Sequence, residues 1–217
     1  MRTTSLQEIQ VESGRARLNG VLGVPEGAQG VVLFAHGSGS GRLSPRNRYV
    51  AGELRGAGLA TLLIDLLEDW ESGDHTKVFD IDLLAERLLS AADWLAGNAE
   101  TKHLRIGYFG ASTGAAAALQ AAAKRGEQVG AVVSRGGRPD LAMQYLPDVT
   151  APTLLIVGGS DLPVIPLNEE AYRLLRAPKE LAVVAGASHL FEEPGKLEEV
   201  ARLARDWFTK YLRGEHE

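Results

Sequence analysis

Hydrophobic positions along the chain follow two alternating rhythms. Short continuous apolar runs, "GVVLFAH", "LATLLIDLL", "LRIGYFG", "VGAVVSRGG", "PTLLIVGGS" and "ELAVVAG", are separated by longer stretches in which apolar residues recur every three or four positions. An apolar run of this kind, closed by glycine or polar residues, predicts a strand buried on both faces. The three-and-four spacing predicts amphipathic helices. One covers residues 45–58, with Val50, Ala51 and Leu54 in register and "GAG" as its stop. The next is "DIDLLAERLLSAADWLAGN", with Leu83, Leu84, Leu88, Leu89 and Ala92 in register, followed by "TGAAAALQAAAKRG", "LNEEAYRLLRA" and "LEEVARLARDWFTKYL". Two segments near the start, "LQEIQVES" and "ARLNGVLGVP", read as strands. Gly20 breaks the second and Pro25 ends it, which predicts an antiparallel pair at a sheet edge.

Strands that alternate with helices imply crossover units, hence an α/β protein with a mostly parallel sheet covered by helices on both faces. No repeat or low-complexity linker divides the chain, and 217 residues suit one domain. Ligands on such sheets bind outside the carboxyl ends of the strands, so the chemistry is expected in the loops that follow them.

The sharpest signal in those loops is Gly110-Ala111-Ser112-Thr113-Gly114, a G-x-S-x-G pattern between a predicted strand and a predicted helix. In a nucleophile elbow the serine sits on a strained turn, and small neighbours are needed because a side chain would strike the adjoining strand or helix. A serine in such a turn can also serve only as a helix cap. A serine hydroxyl is a weak nucleophile and needs a base, which needs an orienting acid. Asp161 lies just past "LLIVGG", and His189 lies in the loop after "LAVVAG". Taken singly, these are a turn aspartate and a loop histidine. Together with Ser112 they stand in the order nucleophile, acid, base, each after a strand. His36 precedes the serine and belongs to its own loop, while His75, His103 and His216 lie in polar or charged surroundings. No two histidines have metal-ligand spacing, and neither metal nor cofactor is expected.

The glycine-rich stretch "HGSGSGR" after the first buried strand admits two readings, a phosphate cradle or an oxyanion loop. A dinucleotide fingerprint wants G-x-G-x-x-G, and Arg42 stands where the third glycine should fall, although Asp65 lies at a suitable distance for a ribose contact. In the oxyanion reading the backbone N–H of Ser38 pairs with that of Thr113.

Composition and charge trim the alternatives. A formal charge of −5 without a basic cluster leaves no electrostatic footprint for nucleic acid. The chain has no cysteine, which removes disulfides and a thiol nucleophile. The opening "MRTTSLQEIQVESG" lacks a signal-peptide core and no apolar run approaches the roughly 20 residues of a spanning helix, so the expectation is a cytoplasmic protein with no membrane contact.

"AHGSGSGR", "GASTG", "GGSD" and "GASH" together resemble an α/β-hydrolase, and the compact length without a cap domain is similar to the dienelactone hydrolase group. The resemblance runs from about Gly30 to the last helix. It implies an α/β-hydrolase fold and a hydrolase acting on small-molecule carboxylic esters or lactones. Dienelactone hydrolases proper use a cysteine nucleophile, whereas this chain has Ser112, which favours ordinary serine esterase chemistry. Around the expected site, the polar segment 68–77, with Trp70 and Phe79, is a candidate border of the acyl pocket or a plain connecting loop. Arg135, Arg138 and Arg42 are candidates for binding a substrate carboxylate, since a guanidinium offers a planar fork of donors. Arg135 and Arg138 are equally placed to pair with an acid such as Asp140 and hold their loop.

Overall fold

The computed structural model describes residues 4–213. Strands β1 (Leu6–Ser13) and β2 (Ala16–Gly23) form the expected hairpin, and β3 (Val31–Ala35), β4 (Ala60–Ile64), β5 (Ile106–Ala111), β6 (Val129–Arg135) and β7 (Thr153–Gly158) are buried runs, whereas β8 (Lys179–Val184) lies at the sheet edge and is buried only in part, with Val183 exposed. They make one eight-stranded sheet in the order β1-β2-β4-β3-β5-β6-β7-β8. β1, β2 and β4 pair antiparallel and every other pairing is parallel. The chain therefore winds outward from β3 in both directions, and the loops after β3 and β5 open side by side.

The sheet's period of two divides the core into two layers. Val31, Leu33 and Ala35 of β3 face one cluster, and Val32 and Phe34 face the other. The first layer is covered by α3 (Ile81–Gly97) and α4 (Thr113–Arg125), together with α5 (Ile165–Leu174). The second is covered by α1 (Pro45–Gly56) and α6 (Lys196–Leu212). In this second layer the Phe34 and Phe109 rings meet at 4.8 Å between centroids. Two of the helix starts are capped by short polar side chains: Ser44 accepts the Asn47 N–H in α1, and Asp80 accepts the Leu83 N–H in α3.

Two segments depart from the sequence reading. The polar stretch taken as a loop contains the short helix α2 (His75–Val78), started by Asp74, which accepts the Thr76 N–H. Pro139–Asp148 forms a kinked 3₁₀ segment packed over α4 and α5 through Ala142 and Leu146, where the apolar residues are too few to show a period. No helix of the described residues is long and apolar enough to cross a membrane, and no separate cap sits over the sheet.

The second layer tests the packing. Phe208 of α6 is fully buried, and its ring lies where a side chain at Gly107 of β5 would otherwise stand. Phe208→Ala is expected to cost about 3–5 kcal/mol, read as a lower urea midpoint with an unchanged slope.

Candidate active site

The turn from β5 into α4 is made by Ser112, at φ 51° and ψ −122°. A positive φ is uncommon for a residue with a side chain and persists only where surroundings force it. The cause lies in the flanking glycines. A Cβ at Gly114 would stand 2.2 Å from the Ala35 carbonyl oxygen and 2.4 Å from that of His36, and one at Gly110 would stand 2.4 Å from the Ala115 Cα. The helix thus starts against the end of β3, and only glycine permits the approach. The Ser112 side chain makes no capping hydrogen bond, so the helix-cap role is not the one it fills. Its backbone is held instead: Ser112 N–H donates to the Arg135 carbonyl at 3.3 Å, and the Ser112 carbonyl accepts from Arg138 N–H at 3.1 Å.

Asp161 and His189 meet at the next strand ends. His189 Nδ1 lies 2.7 Å from Asp161 Oδ2. With the carboxylate as acceptor, Nδ1 carries the proton and Nε2 is left as the basic nitrogen. The two loops are tied by the backbone, since Ser160 N–H donates to the Ala187 carbonyl at 2.9 Å. Within the histidine loop, both carboxylate oxygens of Glu193 accept the Ser188 N–H at 3.1 Å, which holds the Glu193 carboxyl below its ordinary pKa. Phe191, at φ 56° and fully buried, anchors the loop in the second core layer. Ser112 and His189 flank one turn: Arg135 binds the serine's backbone, and a Cβ on the next residue, Gly136, would lie 3.5 Å from the His189 ring.

The loop after β3 closes the other side. Ser38 and Thr113 line one cleft of about 330 Å³ with Gly37, Ser40, Arg42, Asp65, Leu67 and Leu84. A Cβ on Gly37 would stand 2.9 Å from Ser112 Cβ. Thr113 opens α4, so its N–H is among those that a helix leaves without an internal acceptor. His36 steadies the loop from beneath. Its Nε2 accepts the Leu66 N–H at 2.8 Å, so Nδ1 is the donor to the Gly37 carbonyl at 2.9 Å. Burial pushes the His36 pKa down and keeps the ring neutral.

Three side chains stand differently from expectation. Arg42 lines the cleft, but its guanidinium and its N–H both bind Asp65. That pairing also occupies the acid that a dinucleotide reading needs. Trp70 does not border the cleft: it is 71% exposed, donates to Glu68, and lies under the Lys77 ammonium at 3.9 Å from the ring centroid. The segment lines the cleft through Asp69, Ser72 and Val78 instead. Arg135 is buried rather than on the rim, whereas Arg138 makes the two-point pair with Asp140, at 2.8 and 2.7 Å.

The segment is anchored by an ion pair that no sequence pattern signalled. Glu71 is 3% exposed and accepts from Arg87 of α3 at 2.5 and 3.0 Å and from Lys77 at 2.7 Å.

A model of the dienelactone hydrolase family matches residues 70–213. The chain belongs to the dienelactone hydrolase family. It is 60% identical to a dienelactone hydrolase from Anabaena variabilis of known crystal structure, with a TM-score of 0.94 over 97% of this chain and 99% of that one. The esterase Est1E from Butyrivibrio proteoclasticus shares the fold at 15% identity and a TM-score of 0.78, over 94% of this chain and 98% of that one. A Mycobacterium tuberculosis protein named putative phosphoribosyl transferase is 57% identical over 208 residues, 96% of this chain and 47% of that protein. The chain thus spans about half the length of that curated relative. The family and fold are those of hydrolases.

The anchor of this family member's segment 68–79 has a pH signature. Hydrogen bonds from Arg87 lower the Glu71 pKa to about 2. Because the folded value lies below the unfolded one, the unfolded chain takes up the proton first as pH falls. The pair's contribution is complete above about pH 5 and is lost progressively toward pH 2. Glu71→Gln should cost about 3–5 kcal/mol at pH 7, since Arg87 is left buried without its partner. It should also flatten the acid limb of stability in urea titrations taken from pH 7 to 2.

Proposed function

We propose that this protein is a serine hydrolase that cleaves small carboxylic esters or lactones through an acyl-enzyme. The observation that carries the reading is Ser112 itself, held at positive φ on the strand-to-helix turn with its hydroxyl not engaged in capping. In this reading Ser112 Oγ attacks the acyl carbon as His189 Nε2 takes its proton. Asp161 keeps Nδ1 protonated and stabilises the imidazolium. The carbonyl π electrons move to oxygen, and the N–H groups of Ser38 and Thr113 receive that oxyanion. The tetrahedral intermediate collapses by breaking the bond to the leaving oxygen, which collects the proton from His189. Water then attacks the acyl-enzyme by the same route, giving the acid and the free serine.

The cleft lined by the Ser38 loop and Thr113 supports a small substrate. About 330 Å³ lined by Leu67, Val78 and Leu84 beside Ser40, Ser72 and Asp69 suits a short acyl group rather than a long chain. A serine in place of the cysteine of dienelactone hydrolases proper points to ordinary ester chemistry, with no cofactor needed for any step.

A fluorophosphonate probe should label the protein at Ser112 and leave Ser112→Ala unmodified. The same substitution should lower turnover of short p-nitrophenyl esters by about 10⁴–10⁶-fold with little change in Tm. Labelling at another serine, or a variant that retains about a tenth of the activity, would reject the assignment.

A further inference from the structure

Several half-buried or buried guanidinium groups of this protein are matched with carboxylates, Arg42 with Asp65, Arg87 with Glu71, Arg125 with Asp93 and Arg138 with Asp140, while half-buried Arg55 donates to the Thr61 hydroxyl at 2.8 Å. Arg135 is the deeply buried one without an acid. It is 7% exposed, and among the described residues no carboxylate pairs with it. Its Nη2 makes one long hydrogen bond, 3.4 Å to Asn47 Oδ1, and its Nε is buried without an acceptor.

The surroundings add positive charge rather than removing it. The neighbouring charge that acts on Arg135 is a second cation, Arg46. Arg46 gives Nη1 to the exposed Glu192 at 3.1 Å, while its own Nε is also buried without an acceptor. Arg46 and Asn47 belong to the first turn of α1, where the helix dipole is positive. Burial and Arg46 lower the Arg135 pKa only to about 10, so the group stays charged at neutral pH. A buried charge without a counter-charge is costly and is retained where something compensates it.

We infer that Arg135, Arg46 and the first turn of α1 form a binding site for an oxyanion, a carboxylate or phosphate, next to the catalytic candidates. The carbonyl of Arg135 holds the Ser112 backbone, and the following residue, Gly136, lies against His189. The site is on the His189 side of the serine. If the proposed hydrolysis holds, that is the side from which the leaving alcohol departs, so an anion carried by that alcohol reaches Arg135. The other source is a free anion. The Arg46 side chain is 34% accessible, and its pair with the exposed Glu192 is of the kind that holds weakly, so an anion in solution can compete for it.

Thermal unfolding with inorganic phosphate or acetate, titrated at constant ionic strength, tests the site without requiring hydrolysis. Both anions should raise the wild-type Tm saturably, as ligands of the native state do. Arg135→Met replaces an unpaired charge by an apolar chain, a change that buried sites tolerate, and should abolish the rise. Arg46→Gln, nearer the surface, should weaken it by roughly tenfold. Two esters with the same acyl group, one with a carboxylate on its alcohol and one neutral, identify the source. A KM ratio between them that Arg135→Met shifts by roughly tenfold assigns the anion to the substrate; an unshifted ratio with an intact Tm response assigns it to a free anion. No Tm response together with an unshifted ratio, or a response equal in wild type and both variants, overturns the site. Absence of ester turnover by the wild type, with the Tm response present and abolished by Arg135→Met, would sink the hydrolase reading and leave the site standing.

Discussion

The structure depends on one steric constraint, the contact between the start of α4 and the end of β3. Gly114 lies so close to the carbonyl oxygens of Ala35 and His36 that any side chain would overlap them. With α4 set there, the chain leaving β5 must reverse within a single residue. Ser112 carries that reversal at positive φ. The all-alanine stretch of α4, Ala115–Ala118 by residue type, continues the same logic, since small side chains let the helix lie close on the sheet. Strain at one residue is thus sustained by close packing over two turns of helix.

Around this point the loops are organised by backbone hydrogen bonds more than by side-chain contacts. Arg135 and Arg138 bind the Ser112 peptide groups, and Ser160 binds Ala187 between the aspartate and histidine loops. The side chains that matter for position are bonded to backbone: His36 to Gly37 and Leu66, and Glu193 to Ser188. A loop held in this way keeps its geometry although its own surface is open to water. Phe191 adds an apolar anchor to the loop that carries His189.

Electrostatics divides the site into two unlike halves. On the β4 side, the arginine beside the cleft is neutralised by Asp65, and Glu71 with Arg87 fixes the segment that closes it. On the β6 side, Arg135 has no acid beside it among the described residues, and Arg46 pairs with the exposed Glu192. A polar but balanced cleft and an unbalanced cationic corner favour different parts of a ligand, since a desolvated charge attracts far more strongly than a paired one.

The chain's own pattern was enough for the fold. Continuous apolar runs predicted the six later strands and three-and-four spacing the five longer helices, because burial on a sheet and on a helix face imposes distinct patterns, while Gly20 and Pro25 marked the opening edge pair. The glycines of "GASTG" and the order of Ser112, Asp161 and His189 were also legible, since they obey local steric rules and strand-end placement. Short segments escaped: α2 and the 3₁₀ stretch at Pro139–Asp148 span too few apolar residues to show a period. So did all charge pairing. Nothing local distinguishes Arg135 from Arg138, and Asp140 was as available to one as to the other. Only the tertiary structure decided that Arg138 takes Asp140, Arg42 takes Asp65, Trp70 turns outward and Arg135 is buried without an acid. Partners for a long charged side chain come from elements distant in sequence, and their meeting depends on how the layers pack, which no single stretch of chain encodes.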